Sequence, residues 1–338
     1  MIAYICRQEH KRTILPFLSA EREALKRRIK VVSYEELFLS RAVPVAHLIF
    51  TDIDRLSVYE VETAQAIANT LASADMGASI VNGPARVLSR YSLLCELHKI
   101  GINSFQAARL DEGSIALNYP LFLRREDEAL GPETDLLHSE EELNAAINAI
   151  QTSGKPLRGR LAVEYRAKRS DDGYFRKYSA FLVNGEVLPQ HIQMASDWAV
   201  KSDARSTGQA EASEELRYVR DNPHRDVLQR AFALANIDFG RIDYSIVDGR
   251  VEIYEINTNP TFSGSDKHDL RQERRALVRE RLVSAFTSLD QPLAGSGHIR
   301  FDLPRPRVHR LPAPRNPFAR WVFARRLLAR PNHSSRDR

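Results

Sequence analysis

Apolar and polar residues alternate on both sides of Asp248-Gly249 in GRIDYSIVDGRVEIYEINTNPTF (240–262), the period-two pattern of a β-hairpin with its turn at Asp-Gly. The same pattern in DDGYFRKYSAFLVNGEVL predicts a second hairpin, turning at Asn184-Gly185 in a type I′ turn. Residues 1 to about 85 read differently. Short apolar runs (MIAYIC, IKVVSY, HLIFTD) separated by helical stretches predict β-α-β alternation and a small parallel sheet. VYEVETAQAIANTLASADMG is the clearest helix, with Ala and Leu at helical spacing and Gly77 as a stop signal.

The open end of the first hairpin carries polar residues that its apolar strands do not explain. Side chains along a strand point to alternate faces, so Glu255 and Asn257 share a face, as do Arg241 and Asp243. Whether the pairs meet depends on the turn. A two-residue turn at Asp248-Gly249 would pair Asp243 with Tyr254 and send Glu255 to the other face. A three-residue turn, Asp248-Gly249-Arg250, pairs Asp243 with Glu255 and Tyr244 with Tyr254. The second register is preferred, because it gathers Ile242, Tyr244, Tyr254 and Ile256 on one apolar face and leaves Arg241, Asp243, Glu255 and Asn257 together on the other. Two facing carboxylates repel unless a cation sits between them or one is protonated. Asp, Glu and an amide oxygen are hard donors that suit Mg²⁺. The bland alternative is a solvated polar rim with Arg241 as counter-ion to Asp243.

Composition adds bounds. The chain of 338 residues, 43% hydrophobic and 28% charged, has room for two or three packed lobes. Cys6 and Cys95 lack metal-type spacing and fit a reducing compartment. The N-terminal apolar run is too short for a signal peptide, and no segment approaches 18 apolar residues, so a cytoplasmic protein is expected. The net charge of +5 is uneven: Ser296 to Arg338 holds 11 Arg, no Lys and 2 Asp, leaving this segment at +9 and the remainder at −4. That Pro- and Arg-rich segment reads either as an electrostatic arm for an anionic surface or as an extension packing through Phe318, Trp321 and Phe323. The acidic remainder argues against a dedicated nucleic-acid binder.

The RID of the first hairpin strand followed by EINTNP on the second resembles the metal-binding end of the ATP-grasp fold, and is similar to D-alanine:D-alanine ligases and ribosomal-protein glutamate ligases. The resemblance implies an α/β architecture. A small α/β domain (1–85) would precede an ATP-grasp domain (86–290) whose two lobes hold the nucleotide between their sheets, with a basic segment (291–338) after it. It implies that Asp243, Glu255 and Asn257 hold Mg²⁺, or Mn²⁺, on the phosphates of ATP, and that Arg241 steadies an oxyanion. NGPARVLSRYSLLCELHKIGINSF (82–105) resembles the helix that enters the nucleotide lobe, and YPLFLRRED (119–127) the strand after it. Where relatives carry phosphate-binding lysines, this chain has Arg90 and Arg124, which keep the charge and add a bidentate fork. Glu164, Tyr165 and Arg166 would lie beside the adenine, Lys177 would reach the phosphates, and Lys201 the γ-phosphate or a substrate carboxylate. Two features depart from the family: Ser179 stands where many relatives have Arg, and Gly131 is the only glycine where they keep a glycine-rich flap. His191, in the region facing the acceptor, reads as a structural residue on its own.

The implied activity is an ATP- and Mg²⁺-dependent ligase joining a small-molecule or peptide carboxylate to an amine through an acyl phosphate. A phosphotransferase on the same fold, or a nucleotide-binding protein with lost turnover, are the alternatives. Similar ligases are commonly homodimers.

Overall fold

The computed structural model describes residues 1–113, 115–128, 131–200, 208–262 and 269–302; Lys201 and the basic segment from 303 onward lie outside them. The chain divides into units Met1–Asp302 and Leu303–Arg338, and every helix and strand named below belongs to the first.

The N-terminal part is the expected β-α-β alternation. Strand β1 (Ile2–Cys6) is followed by α1 (Leu15–Ala20), α2 (Arg22–Leu25), β2 (Ile29–Ser33), α3 (Tyr34–Ser40), β3 (Ala42–Pro44), β4 (His47–Phe50), α4 (Val58–Ser73) and β5 (Ile80–Val81). Strands β2-β1-β4-β5 pair in that order, all parallel. The residues of β1 are wholly buried, as a parallel strand covered on both faces requires. Helices α3 and α4 begin at Ser33 and Ser57, each closing a capping box with Glu36 or Glu60 that satisfies two otherwise unpaired N–H groups.

Helix α5 (Arg90–Lys99) leads into a three-stranded antiparallel sheet made of β6 (Ala107–Arg109), β7 (Leu121–Arg125) and, after α6 (Glu140–Thr152), β8 (Arg160–Glu164). Its order is β6-β8-β7, which puts β8 in the centre. The third layer holds β9 (Phe175–Val183), β10 (Glu186–Ala195), α7 (Gln209–Asp221), α8 (Arg225–Ala235), β11 (Gly240–Val247), β12 (Arg250–Asn257) and α9 (Gln272–Leu289). Its sheet runs β10-β9-β11-β12, antiparallel throughout. Strand β13 (His298–Arg300) then returns to pair with β3. No helix among the described residues is long and apolar enough to cross a membrane.

Both hairpins form where expected. Asn184 and Gly185 take φ of 50° and 79°, and Asp248 and Gly249 take 49° and 78°, the left-handed pairs that a two-residue I′ turn demands. The first hairpin therefore lacks the three-residue turn expected from its apolar face: Val247 pairs with Arg250. Asp243 nevertheless sits opposite Glu255, because a bulge between Asp243 and Tyr244 pairs Tyr244 with Ile253. Tyr254 is the extra residue. A bulge sets two residues against one and restores the facing that the short turn alone would reverse. Tyr254 consequently leaves the apolar face shared by Ile242 and Tyr244 and packs instead 6.0 Å from Phe105, with its hydroxyl against Ser245.

Phe262, at the end of the NTNPTF run, plugs the junction of the N-terminal part and the four-stranded sheet. Its ring lies 5.1 Å from Phe17, 5.2 Å from Phe181 and 6.4 Å from Tyr4. Two asparagines tie the same junction with hydrogen bonds. Asn82 donates to the carbonyls of Phe50 and Phe239 and accepts from the N–H groups of Asp238 and Phe239. Asn259 accepts from the Tyr4 and Thr13 hydroxyls and donates to Asp52.

Candidate functional site

Register alone lines up one row of polar side chains across the four-stranded sheet. His191 on β10 faces Ser179 on β9, Ser179 faces Asp243 on β11, and Asp243 faces Glu255 on β12. Residues directly opposite in a sheet project from the same side, so these four share a face. Lys177 lies two residues along β9 from Ser179, and Arg241 two along β11 from Asp243, on that same face.

Asp243 is 3% exposed, so this is no solvated rim. Its Oδ1 accepts from the Ser179 hydroxyl at 2.8 Å and from Arg241 Nε at 2.9 Å, and its Oδ2 from Arg241 Nη2 at 3.3 Å. Lys177 Nζ stands 3.6 Å from Oδ2. Glu255 is held from outside its own sheet: Arg90 Nη2 on α5 donates to Oε2 at 2.7 Å, and Arg124 Nη2 on β7 to the same oxygen at 2.9 Å. The charge compensation that two facing acids require thus comes from four side chains belonging to α5, β7, β9 and β11. Arg90 also donates through Nη1 to the carbonyls of Arg125, Glu126 and Glu128, fastening the segment after β7.

Burial pushes the Asp243 carboxyl up, but Arg241 and Lys177 outweigh it and hold the group below its ordinary range. Burial likewise raises Glu255, and Arg90 and Arg124 reverse it, leaving this carboxyl well below the ordinary value although Asp243 pushes the other way. Both are ionised at neutral pH. Burial and the neighbouring Arg90 lower Arg124 from its usual value. Asn257, opposite Arg241, turns its side-chain oxygen toward the backbone N–H of Asn259 at 2.8 Å.

The chain is similar to several solved ligases. D-alanine–D-alanine ligase from Bacillus anthracis complexed with ATP aligns over 86% of this chain and 97% of its own, at 13% identity and a TM-score of 0.49. L-amino acid ligase from Bacillus licheniformis aligns over 84% and 73%, at 14% identity and 0.44. The ATP-grasp ligase PsnB, complexed with a phosphomimetic variant of minimal precursor, Mg and ADP, aligns over 86% and 97%, at 14% and 0.44. No family model and no curated protein matches the chain. These likenesses are distant in sequence and shape, so the functional reading rests on the site's own geometry.

Of the residues singled out from sequence, Arg90, Arg124, Lys177, Arg241, Asp243 and Glu255 converge here. Glu164 does not join them. Its buried carboxylate accepts from the backbone N–H of Gln106 and from both the backbone and side chain of Asn118, with Arg166 at 3.4 Å, tying the loop before β7 to the end of β8. Tyr165 packs its ring 5.4 Å from Trp198, which stands equally far from Phe122. Tyr165 and Trp198 border an open cleft of about 460 Å³ whose lining also includes Leu136, Arg169, Phe175, Ser196 and Asp197. The Tyr165 hydroxyl is buried with no partner among the described residues, and burial pushes it up, beyond its usual range. Lys201 lies outside the described residues.

Sequence reasoning passed over Ser179 and Trp198. Ser179 read as a departure from a family pattern, although its place opposite Asp243 follows from the register of two neighbouring strands. Trp198 carried no local signal, since only tertiary packing brings it beside Tyr165, 33 positions away in the chain.

Proposed function

We propose that the cluster around Asp243 and Glu255 receives the phosphates of ATP, and that the protein is a carboxylate–amine ligase of the ATP-grasp type. The observation that carries this reading is the charge balance. Four cationic side chains converge on the buried Asp243 and the half-buried Glu255, leaving a surplus of positive charge among the contacts shown. A surplus of that kind in a low-dielectric setting attracts a polyanion.

The donor set also fits a metal. Two carboxylates held ionised and the Asn257 amide oxygen are hard oxygen ligands, so Asp243, Glu255 and Asn257 would hold Mg²⁺ or Mn²⁺. When bound, that ion would neutralise phosphate charge during transfer. The chain's own residues do the rest. Arg90 and Arg124 offer guanidinium forks to phosphate oxygens, and Lys177 offers a point charge. Arg241, locked in orientation by two contacts to Asp243, is placed to steady the oxyanion formed when an amine attacks the activated acyl group, a contact of about 3–4 kcal/mol in other enzymes. Tyr165 and Trp198 offer aromatic faces to the adenine. Lys201, a cytoplasmic setting, a homodimer and an anionic-surface contact through the basic segment 291–338 belong to the same proposal, as do domain limits near 85 and 290.

The test is ADP release measured with ATP, Mg²⁺, and panels of acids and amines. The ligase reading requires release only when acid and amine are both present. A stable phosphorylated product without amine would replace it with a phosphotransferase, and ATP binding without ADP under every combination with a nucleotide-binding protein.

A further inference from the structure

At the open end of β12 the run Asn257–Thr258–Asn259 is fastened to the N-terminal part of the chain. Asn259 is 5% exposed. Its Oδ1 lies 2.7 Å from the Tyr4 hydroxyl and 2.6 Å from that of Thr13, and its Nδ2 donates to Asp52 Oδ2 at 2.8 Å. A carboxylate only accepts, so Asp52 decides which way round this amide sits. Asp52 is itself fixed: 1% exposed, it accepts from the Arg7 backbone N–H at 2.9 Å and stands 3.0 Å from His10 Nδ1. Tyr4 lies on β1 and Asp52 just after β4, two neighbouring strands of the parallel sheet. Between the two asparagines, the Thr258 hydroxyl accepts from the Ile53 N–H at 3.4 Å. Pro260 adds a restraint, because a residue before proline is confined to extended backbone.

The consequence falls on Asn257. Its Oδ1 accepts from the Asn259 backbone N–H at 2.8 Å. An amide oxygen has two lone pairs, so this bond occupies one and leaves the other for a cation. The same bond fixes which end of the amide is which. Turned end for end, the Asn257 amide would offer a cation its N–H groups, which repel it. At position 259 an amide is the one uncharged group that accepts from hydroxyls and donates to a carboxylate without changing protonation. Building on the metal-binding reading of this end, we propose that Asn259 is a positioning residue: gripped by Tyr4 and Asp52, it places the backbone N–H that holds the Asn257 amide oxygen ready for the metal, so that the β-α-β part of the chain sets metal affinity. Partners that orient a ligand in this way commonly account for about ten- to hundredfold of metal affinity.

The experiment is Mn²⁺ binding to the full chain with a non-hydrolysable ATP analogue, read by water-proton relaxation, which separates protein-bound Mn²⁺ from its complex with nucleotide in solution. Analogue affinity in EDTA is measured alongside by calorimetry. Asn259→Ala is expected to weaken Mn²⁺ about tenfold and to change metal-free analogue binding by less than about twofold. Asn257→Ala should weaken Mn²⁺ at least as much, and adding Asn259→Ala to it should cost nothing more, because one residue acts through the other. Tyr4→Phe covers the case in which Asn259→Ala does not fold. It deletes one hydroxyl, keeps the ring in its place 5.8 Å from Phe239, and is expected to weaken Mn²⁺ about threefold. Unchanged Mn²⁺ affinity in folded Asn259→Ala, or in Tyr4→Phe where the former does not fold, would overturn the inference. An unaltered chain that takes up no Mn²⁺ with the analogue sinks the metal reading and the inference together. One that takes up Mn²⁺ while the losses from Asn257→Ala and Asn259→Ala add sinks the inference alone.

Discussion

Asp243 receives hydrogen bonds from Ser179 and Arg241 and has Lys177 within 3.6 Å, so its charge is part of the local packing as well as of any reaction. Asp243→Asn removes that charge and leaves two cations facing each other in a buried place. Breaking a buried pair from one side costs about 3 kcal/mol or more. Thermal and urea denaturation of the variant should show a loss of that order, together with loss of ADP formation, and inorganic phosphate should restore part of the stability by compensating the cations. The same residues set a pH limit. Asp243 and Glu255 titrate below their ordinary values of 3.8 and 4.5 in the folded protein. The unfolded chain therefore binds more protons over that interval. The stability these groups contribute is complete above about pH 4.5 and is lost as pH falls through the depressed folded values. Urea midpoints measured between pH 6 and pH 3 should fall steeply only in the acid part of the range, and the fall should be shallower in Glu255→Gln. At this scale the sequence was informative about residue type and silent about partners: nothing near Glu255 in the chain announces Arg90 or Arg124, which arrive from α5 and β7.

The hairpin β11–β12 shows how two local rules combine into a site. Asp248-Gly249 demands a two-residue turn, whereas the facing of Asp243 and Glu255 demands an odd offset, and the bulge at Tyr254 reconciles them. Gly249→Ala should cost about 1 kcal/mol, because φ of 78° strains any residue with a Cβ. Gly240, at the other end of β11, answers to a different constraint. A Cβ there would lie 2.9 Å from the Asn257 carbonyl oxygen and 3.3 Å from Ile256 Cγ2, so it would push β12 away at the position that carries Asn257. Gly240→Ala should therefore lower kcat/KM by about tenfold or more through misplacement of the site, with a stability loss of about 1–3 kcal/mol from overpacking. A comparison of the two glycine variants by kinetics and denaturation checks this: the turn variant should keep near-normal turnover at saturating substrate. The place of the turn was legible in the sequence because Asp-Gly is a local signal; its length was not, since the three-residue turn expected from the apolar face gives way to a two-residue one. The bulge was not, since it resolves a conflict between the turn and packing on both faces.

Over the whole molecule, small polar residues join the parallel sheet to the antiparallel one. Asn82 makes four hydrogen bonds to backbone groups of β4 and of the segment just before β11, from a left-handed backbone, φ 59°. Asn82→Ala would leave those buried groups unpaired, and a loss of about 3 kcal/mol in urea denaturation is expected. Asp243 and Glu255 lie in a different part of the sheet, so the loss should appear in stability before it appears in turnover at low temperature. The sequence by itself determined the elements: the parallel β-α-β start, the two hairpins, the capped helices, and a hairpin end bearing Arg, Asp, Glu and Asn. Those follow from periodicity, turn chemistry and capping, which act over a few neighbouring residues. Only the tertiary structure decided that Arg90 and Arg124 clasp Glu255, that Phe262 plugs the junction, and that Arg271 and Arg274 meet the buried carboxylate of Glu215. Each of those contacts joins positions far apart in the chain, and their energies depend on burial and on charges supplied by other elements, which no local pattern encodes.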